Sequence, residues 1–182
     1  MAAYHHLTVH FPIALWTTAA LIILLRTFSE GTLARNAAKV LAPLIGFGVL
    51  AGIVAIATGF LVFPFEALLA SPLGRNHLLT ASWSLAYWIL LLVIVWRLGD
   101  AAWIDMRRWI MLGLAALGGG LYAATGAIGG HLAGAPSAMS EIFRLFGWEV
   151  YTTVYVPTFM LVLLVAAAVA MALVGYVGRG RS

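Results

Sequence analysis

Five histidines are the side chains of this sequence best suited to chemistry: His5, His6, His10, His77 and His131. An imidazole can ligate a metal or move a proton. Near hydrocarbon it also needs a partner, because an unsatisfied polar group there is costly. His10, His77 and His131 belong to three different apolar segments, and their positions predict that all three reach one layer at one end of a helical bundle. These three residues are therefore the candidate ligand cluster.

Haem b is the cofactor that this cluster suits best. A bundle of apolar helices can supply two axial imidazoles and enclose the flat ring in a dry slot. If the bundle winds sequentially, its first and third helices lie on one diagonal. We therefore expect His10 and His77 to be the axial pair, with His131 as the substitute for either.

Small and basic residues near the cluster complete the predicted haem site. The second and fourth apolar segments are rich in glycine. We expect the backbone to approach the edge of the haem ring at Gly52 and Gly120. Arg75, and also Arg144, are the predicted partners of the haem propionates near the outer surface.

Two other functions stay open. Three imidazoles also suit copper or zinc, so a non-haem metal-binding membrane protein is the first alternative. The second is a cofactor-free anchor or assembly subunit whose histidines only contact partners. We expect His5 and His6 to lie in water, although His6 and His10 share a helix face at i, i+4 spacing, which allows a second site.

Several kinds of chemistry are excluded or unsupported. The sequence has no cysteine, which excludes iron–sulfur ligation and covalent c-type haem attachment by this chain. Phosphate-binding, nucleophile-elbow and His-Glu-x-x-His motifs are also missing, so hydrolase or transferase chemistry has no support. We expect an electron-transfer subunit rather than an enzyme acting by itself. Glu149 is a candidate proton or quinol contact, or else a carboxylate that the dipole at a helix N-terminus favours.

The elements that must position these residues follow from composition. The 182 residues are 64% hydrophobic and only 9% charged, whereas soluble domains have about 25% charged residues. Five apolar runs, at about 9–25, 40–63, 77–96, 109–130 and 150–177, can each supply the roughly 20 residues that a transmembrane helix needs. We therefore predict an all-α integral membrane protein, in which residues 1–182 form one compact bundle of five helices surrounded by lipid. No fixed-period repeat is evident.

Basic residues predict the orientation of this bundle. Arg75 and Arg144 lie on one side, and the other eight lie in the loops of the opposite side: Arg26, Arg35, Lys39, Arg97, Arg107, Arg108, Arg179 and Arg181. Under the positive-inside rule the N-terminus is outside and the C-terminus cytoplasmic, which puts every histidine on or near the outer side. Because the basic residues lie in short loops between apolar runs, they are topology signals and do not indicate a nucleic-acid partner.

The first apolar segment carries a distinctive motif. The stretch His6-Leu7-Thr8-Val9-His10-Phe11-Pro12-Ile13-Ala14-Leu15 resembles the opening of a bacterial membrane family, the domain of unknown function 2231. Its members typically begin with His-Pro-x-x-Val-His-Phe-Pro-Ile-Ala-Leu, so Leu7 stands where the family usually has proline. Later pieces are similar as well: Ala57-Thr58-Gly59, His77, and the stretch from Gly119-Gly120 to His131.

The resemblance implies redox work at the outer face, since members of this family often lie beside, or are fused to, c-type cytochrome or Rieske-like domains. We therefore expect a small b-type cytochrome of the bacterial inner membrane. It would pass electrons between a membrane or periplasmic donor and a periplasmic acceptor. A c-type cytochrome or another periplasmic redox protein is the expected partner, and quinone is a further candidate.

Overall fold

The computed structural model describes residues 2–150 and 158–178. Within these ranges the chain forms eight α-helices and no strand. The long helices are α1 (Ala2–Phe28), α3 (Leu41–Val62), α5 (Pro72–Leu98), α6 (Met106–Leu132) and α8 (Thr158–Gly178). The short helices are α2 (Thr32–Lys39), α4 (Phe65–Ala70) and α7 (Ala138–Leu145), and a 3-10 turn, Gly99–Trp103, precedes α6.

Four of these helices, α1, α3, α5 and α6, are long and apolar enough to cross a membrane. They contain 27, 22, 27 and 27 residues, against the roughly 20 that the hydrocarbon core requires. Many of their large apolar side chains are exposed, as expected where lipid is the solvent. This is the architecture of a multi-pass, all-helical membrane protein, in agreement with the fold class predicted from composition.

The fifth predicted span, 150–177, is described only in part. Residues 151–157 lie outside the described residues, as do Arg179 and Arg181. The described part forms α8, which has an apolar segment at Leu161–Ala170 and packs against α5.

Two long helices begin earlier than the predicted spans, which changes the position of their histidines. α1 begins at Ala2, ahead of the apolar run at 9–25, and α5 begins at Pro72 and not at 77. Ser71 caps α5, because its hydroxyl accepts a hydrogen bond from the Gly74 N–H at 3.0 Å, and a proline in the first turn suits a helix start. His77 therefore lies more than one turn inside α5, and the N-terminal histidines lie inside α1.

The four membrane-length helices alternate around the bundle. α1 packs against α3 and α6, and α5 packs against the same two helices. α1 and α5 therefore face each other across a diagonal, as predicted for the first and third spans. On this diagonal the indole rings of Trp16 and Trp88 stack in the core, with centroids 5.3 Å apart and planes 2° from parallel.

The glycine triplet at 118–120 does not interrupt α6. Gly118 is buried against Tyr87 and Trp88, whereas Gly120 is exposed and a Cβ added there would meet nothing within 4 Å. One glycine of the triplet thus allows close helix packing, as expected for small residues in membrane bundles.

The two ends of the bundle differ in charge. The end that we call the basic end carries Arg26, Arg35, Lys39, Arg97, Arg107 and Arg108. The opposite end, the histidine end, carries the starts of α1 and α5, the end of α6, and the helices α4 and α7. α7 follows α6 in the chain and packs against it at this end. Beside it Arg144 pairs with Glu141 at 3.2 Å and with Glu149 at 2.9 Å, so Glu149 is an ion-pair partner in this structure.

Candidate cofactor site

A cavity of about 740 Å³ lies at the histidine end, between α1, α3, α5 and α6. Its wall is mostly apolar and contains several glycines, and Trp16 is the deepest residue that α1 contributes to it. The imidazoles in the wall are those of His5, His6, His10 and His77. Small-molecule and cofactor sites usually measure about 300–1,000 Å³, so the cavity is large enough for a cofactor.

His5 is held between α1 and α3. Its Nδ1–H donates to the carbonyl oxygen of Ala55 at 3.0 Å, and because a carbonyl only accepts, the ring proton must lie on Nδ1. The edge of the ring rests on Gly59, where an added Cβ would lie 3.0 Å from Cε1 of His5. The Thr58 hydroxyl lies 3.4 Å from the same Nδ1, and Phe63 packs edge-on against the ring with centroids 5.8 Å apart.

His77 is held in the same way between α5 and α6. Its Nδ1–H donates to the carbonyl oxygen of Thr125 at 3.1 Å. The ring rests on Gly129, where an added Cβ would lie 2.9 Å from Cε1 of His77. The hydroxyl of Thr125 is in turn hydrogen-bonded to that of Ser84 at 3.2 Å, which adds a second polar link between the two helices.

His5 and His77 together form a two-nitrogen donor set. They line one cavity from helices on opposite sides of the bundle. Among the described residues, Nδ1 of each ring is hydrogen-bonded and Nε2 is not. Metal-ligating histidines typically donate their other N–H to a carbonyl or carboxylate, which fixes the tautomer and raises the basicity of the ligating nitrogen. The arrangement therefore leaves the Nε2 lone pair of each ring available to a ligand in the cavity.

The structure replaces His10 by His5 as the α1 imidazole opposite His77. His10 is exposed at the edge of the cavity, and its Nδ1 lies 2.6 Å from the carbonyl of His6 in its own helix. Each residue turns an α-helix by about 100°, so His10 lies about 140° around α1 from His5. His5 and Trp16 are eleven residues apart, close to three full turns, and share the side that faces the core. The prediction that His5 lies in water is therefore wrong.

His131 does not reach the cavity. Its Nδ1 lies 2.9 Å from the Ala127 carbonyl and 3.3 Å from the Ser140 hydroxyl. It follows Gly129 by two residues, which places it about 200° around α6 from the glycine that faces His77. The predicted three-imidazole layer is thus not assembled, and within 2–150 and 158–178 no group of three or more His, Cys, Asp or Glu residues could hold a metal ion.

Arg75 is also directed away from the cavity. Its side chain is buried, and Nη1 donates to the Thr158 hydroxyl at 2.8 Å, which links α5 to α8. Arg144 is engaged in its ion pairs beside α7. In the described part of the chain, the cavity wall contains no Lys or Arg, so neither Arg75 nor Arg144 lines the cavity.

The two predicted glycine contacts have different outcomes. Gly52 lines the cavity, where an added Cβ would lie 3.2 Å from both Leu85 and Trp16. Gly120 faces outward, because it is nine residues from Gly129 and therefore about half a turn out of phase with it. The glycines of α6 that line the cavity are Gly126, Gly129 and Gly130.

Sequence reasoning missed His5, Gly59 and Gly129 as site residues. The signal that could have found them is the eleven-residue spacing from each histidine to a tryptophan, His5 to Trp16 and His77 to Trp88. A histidine in phase with a core tryptophan must face the interior.

No family model, curated protein or solved structure matches this chain. The resemblance of residues 6–15 to the domain of unknown function 2231 therefore stays a prediction.

Proposed function

We propose that the chain is a b-type haem protein that transfers electrons in a membrane, with His5 and His77 as the axial ligands. One observation carries this proposal: of the four imidazoles in the cavity wall, those of His5 and His77 belong to opposite helices and have Nδ1 hydrogen-bonded to a backbone carbonyl of a neighbouring helix. Two nitrogen donors complete the axial positions of haem, whereas zinc sites usually need three or four protein ligands. The donor set therefore favours haem over the zinc alternative.

The residues around the pair fit this cofactor. The wall is mostly apolar and includes glycines of α3 and α6, the kind of lining that a flat ring in a dry slot between helices needs. When bound, haem supplies one-electron chemistry at its iron. The chain holds each imidazole in one tautomer and one orientation, and its apolar wall excludes water. Because the described wall has no Lys or Arg, we expect the haem carboxylates at the mouth of the cavity.

The same proposal includes a location and a partner. With five spans, the N-terminus outside and the C-terminus cytoplasmic, the cavity faces the periplasmic side of a bacterial inner membrane. The support is the charge difference between the basic end and the histidine end. Electrons would then pass to a c-type cytochrome or another periplasmic redox protein, with quinol as a candidate donor from the membrane.

An optical spectrum of the purified, detergent-solubilised protein tests the proposal. We expect a Soret band, low-spin spectra in both the oxidised and the reduced protein, and extraction of the haem by acid–acetone because no cysteine tethers it. Protein expressed with adequate haem and showing no Soret absorbance would overturn the proposal. Copper or zinc in such a preparation would favour a metal-binding protein, and no metal would favour an anchor subunit.

A further inference from the structure

The two hairpins of the bundle repeat one arrangement. In the first, the His5 imidazole on α1 donates to the Ala55 carbonyl of α3 and rests on Gly59, four residues later. In the second, the His77 imidazole on α5 donates to the Thr125 carbonyl of α6 and again rests on a glycine four residues later. The two hydrogen bonds differ by only 0.1 Å in length, as do the two ring–glycine distances.

The match continues deeper in the bundle. Eleven residues after its histidine, each helix places a tryptophan against a glycine of its partner helix: Trp16 on Gly48, and Trp88 on Gly118. Each of these glycines stands eleven residues before the glycine that supports the imidazole. The two tryptophans then stack on each other across the diagonal.

The sequence carries traces of this repeat. Residues 5–16 and 77–88 share His, Leu, Thr, Ala and Trp at corresponding positions, including Thr8 and Thr80. The Thr8 hydroxyl donates to the His5 carbonyl at 2.9 Å, and the Thr80 hydroxyl lies 3.2 Å from the His77 carbonyl and 2.9 Å from that of Asn76. Residues 48–59 and 118–129 share Gly at both ends and Ala two positions before the second glycine. The arrangement occurs only twice in the described residues, and the connections between the helices differ in length. It is therefore not visible in the sequence as a repeat of fixed period.

We propose that α1–α3 and α5–α6 are two copies of one half-site, and that Gly59 and Gly129 are its equivalent positioning residues. Each glycine lets the imidazole approach the neighbouring helix closely enough for Nδ1–H to reach the carbonyl. A methyl group at either position would push the ring away, because the added Cβ would lie 3.0 or 2.9 Å from Cε1. The nature of the bound cofactor rests on the proposed function, but the positioning of the two rings does not.

Gly59→Ala and Gly129→Ala test the inference in the intact protein. The matched controls are Gly46→Ala in α3 and Gly120→Ala in α6, where an added Cβ meets only Leu92 at 3.9 Å or nothing within 4 Å. Loss of the hydrogen bond behind a metal-ligating histidine typically weakens metal binding about 10–100-fold. We expect each positioning variant to weaken haem retention by a similar factor and to shift the electron paramagnetic resonance of the low-spin ferric haem, while the controls match the wild type.

Equivalence of the half-sites requires that both variants respond. If Gly59→Ala and Gly129→Ala both keep the wild-type resonance and retention, or only one changes, the inference is overturned. A second measurement is independent of haem. In ¹⁵N-histidine spectra of the cofactor-free wild type, both rings should carry the proton on Nδ1, with signals assigned through His5→Ala and His77→Ala. A ring protonated on Nε2 instead would overturn the inference even if the variants fail to fold. Protein that carries no haem when purified from cells with adequate haem, but has both rings protonated on Nδ1, would contradict the proposed function alone.

Discussion

At the residue scale, two histidines of α1 that are five residues apart have different surroundings: His5 faces the cavity and His10 lies at its edge. His5 is half-buried and hydrogen-bonded to α3, whereas His10 is exposed and bonded only to its own helix. The difference comes from helical phase, since both residues belong to α1 and lie near the histidine end.

Alanine substitutions distinguish the two residues. We expect His5→Ala and His77→Ala to lose the low-spin haem spectrum, because each would remove one of the two proposed iron ligands. His10→Ala and His131→Ala serve as controls and should keep it. Absorbance and electron paramagnetic resonance of the purified variants give the answer. An unaltered low-spin spectrum in His5→Ala, together with its loss in His10→Ala, would show that His10 is the ligand from α1, as the sequence predicts.

The sequence located the histidines at one end of the bundle but not the pair that faces the cavity. Hydropathy placed the first span at 9–25, so His5 was expected in water. It also placed His77 at a helix start, although the Ser71 cap begins α5 five residues earlier. Apolar windows find the hydrocarbon segment, whereas the direction of a side chain depends on where the helix begins and on its phase relative to core residues such as Trp16.

At the element scale, glycines fix how closely the helices of each hairpin approach. Gly48 lies under the Trp16 indole, where an added Cβ would be 2.4 Å from Nε1. The ring cannot move aside easily, because it is buried and stacked on Trp88. At Gly46 in the same helix, an added Cβ would meet only Leu92, at 3.9 Å.

Gly48→Ala should therefore destabilise the bundle by about 1–3 kcal/mol, the usual cost of overpacking a core. Gly46→Ala makes the same chemical change two residues earlier and should leave stability nearly unchanged. Thermal unfolding of both variants in one detergent provides the comparison. Equal unfolding temperatures for the two variants would show that contact with Trp16 does not set the helix spacing.

At the scale of the whole molecule, composition alone predicted most of the architecture. A chain that is 64% hydrophobic with short basic loops must place its helices in lipid, and four of the five predicted spans correspond to membrane-length helices. The internal match of the two hairpins was not predicted, because it depends on contacts such as Trp16 on Gly48 and Trp88 on Gly118 more than on identical residues.

Single cysteines can test the predicted orientation, since the native chain has none. Ala70→Cys in α4 lies at the histidine end and Asn36→Cys in α2 at the basic end, and both positions are exposed. In intact spheroplasts, a membrane-impermeant maleimide should label Ala70→Cys at once, but Asn36→Cys only after permeabilisation. Each variant is the control for the other, and the reverse labelling pattern would invert the topology.

The stacked tryptophans have a bioenergetic consequence. Below Trp16 and Trp88, buried apolar side chains fill the bundle as far as Trp103 near the basic end, so the cavity at the histidine end does not continue to the basic end. Carrying an elementary charge through a potential of 100 mV costs about 2.3 kcal/mol. A redox centre in the cavity that exchanges electrons at the histidine end would receive and release them on the same side of the membrane potential. No net charge would then cross the membrane during electron transfer, and the membrane potential would not slow the transfer.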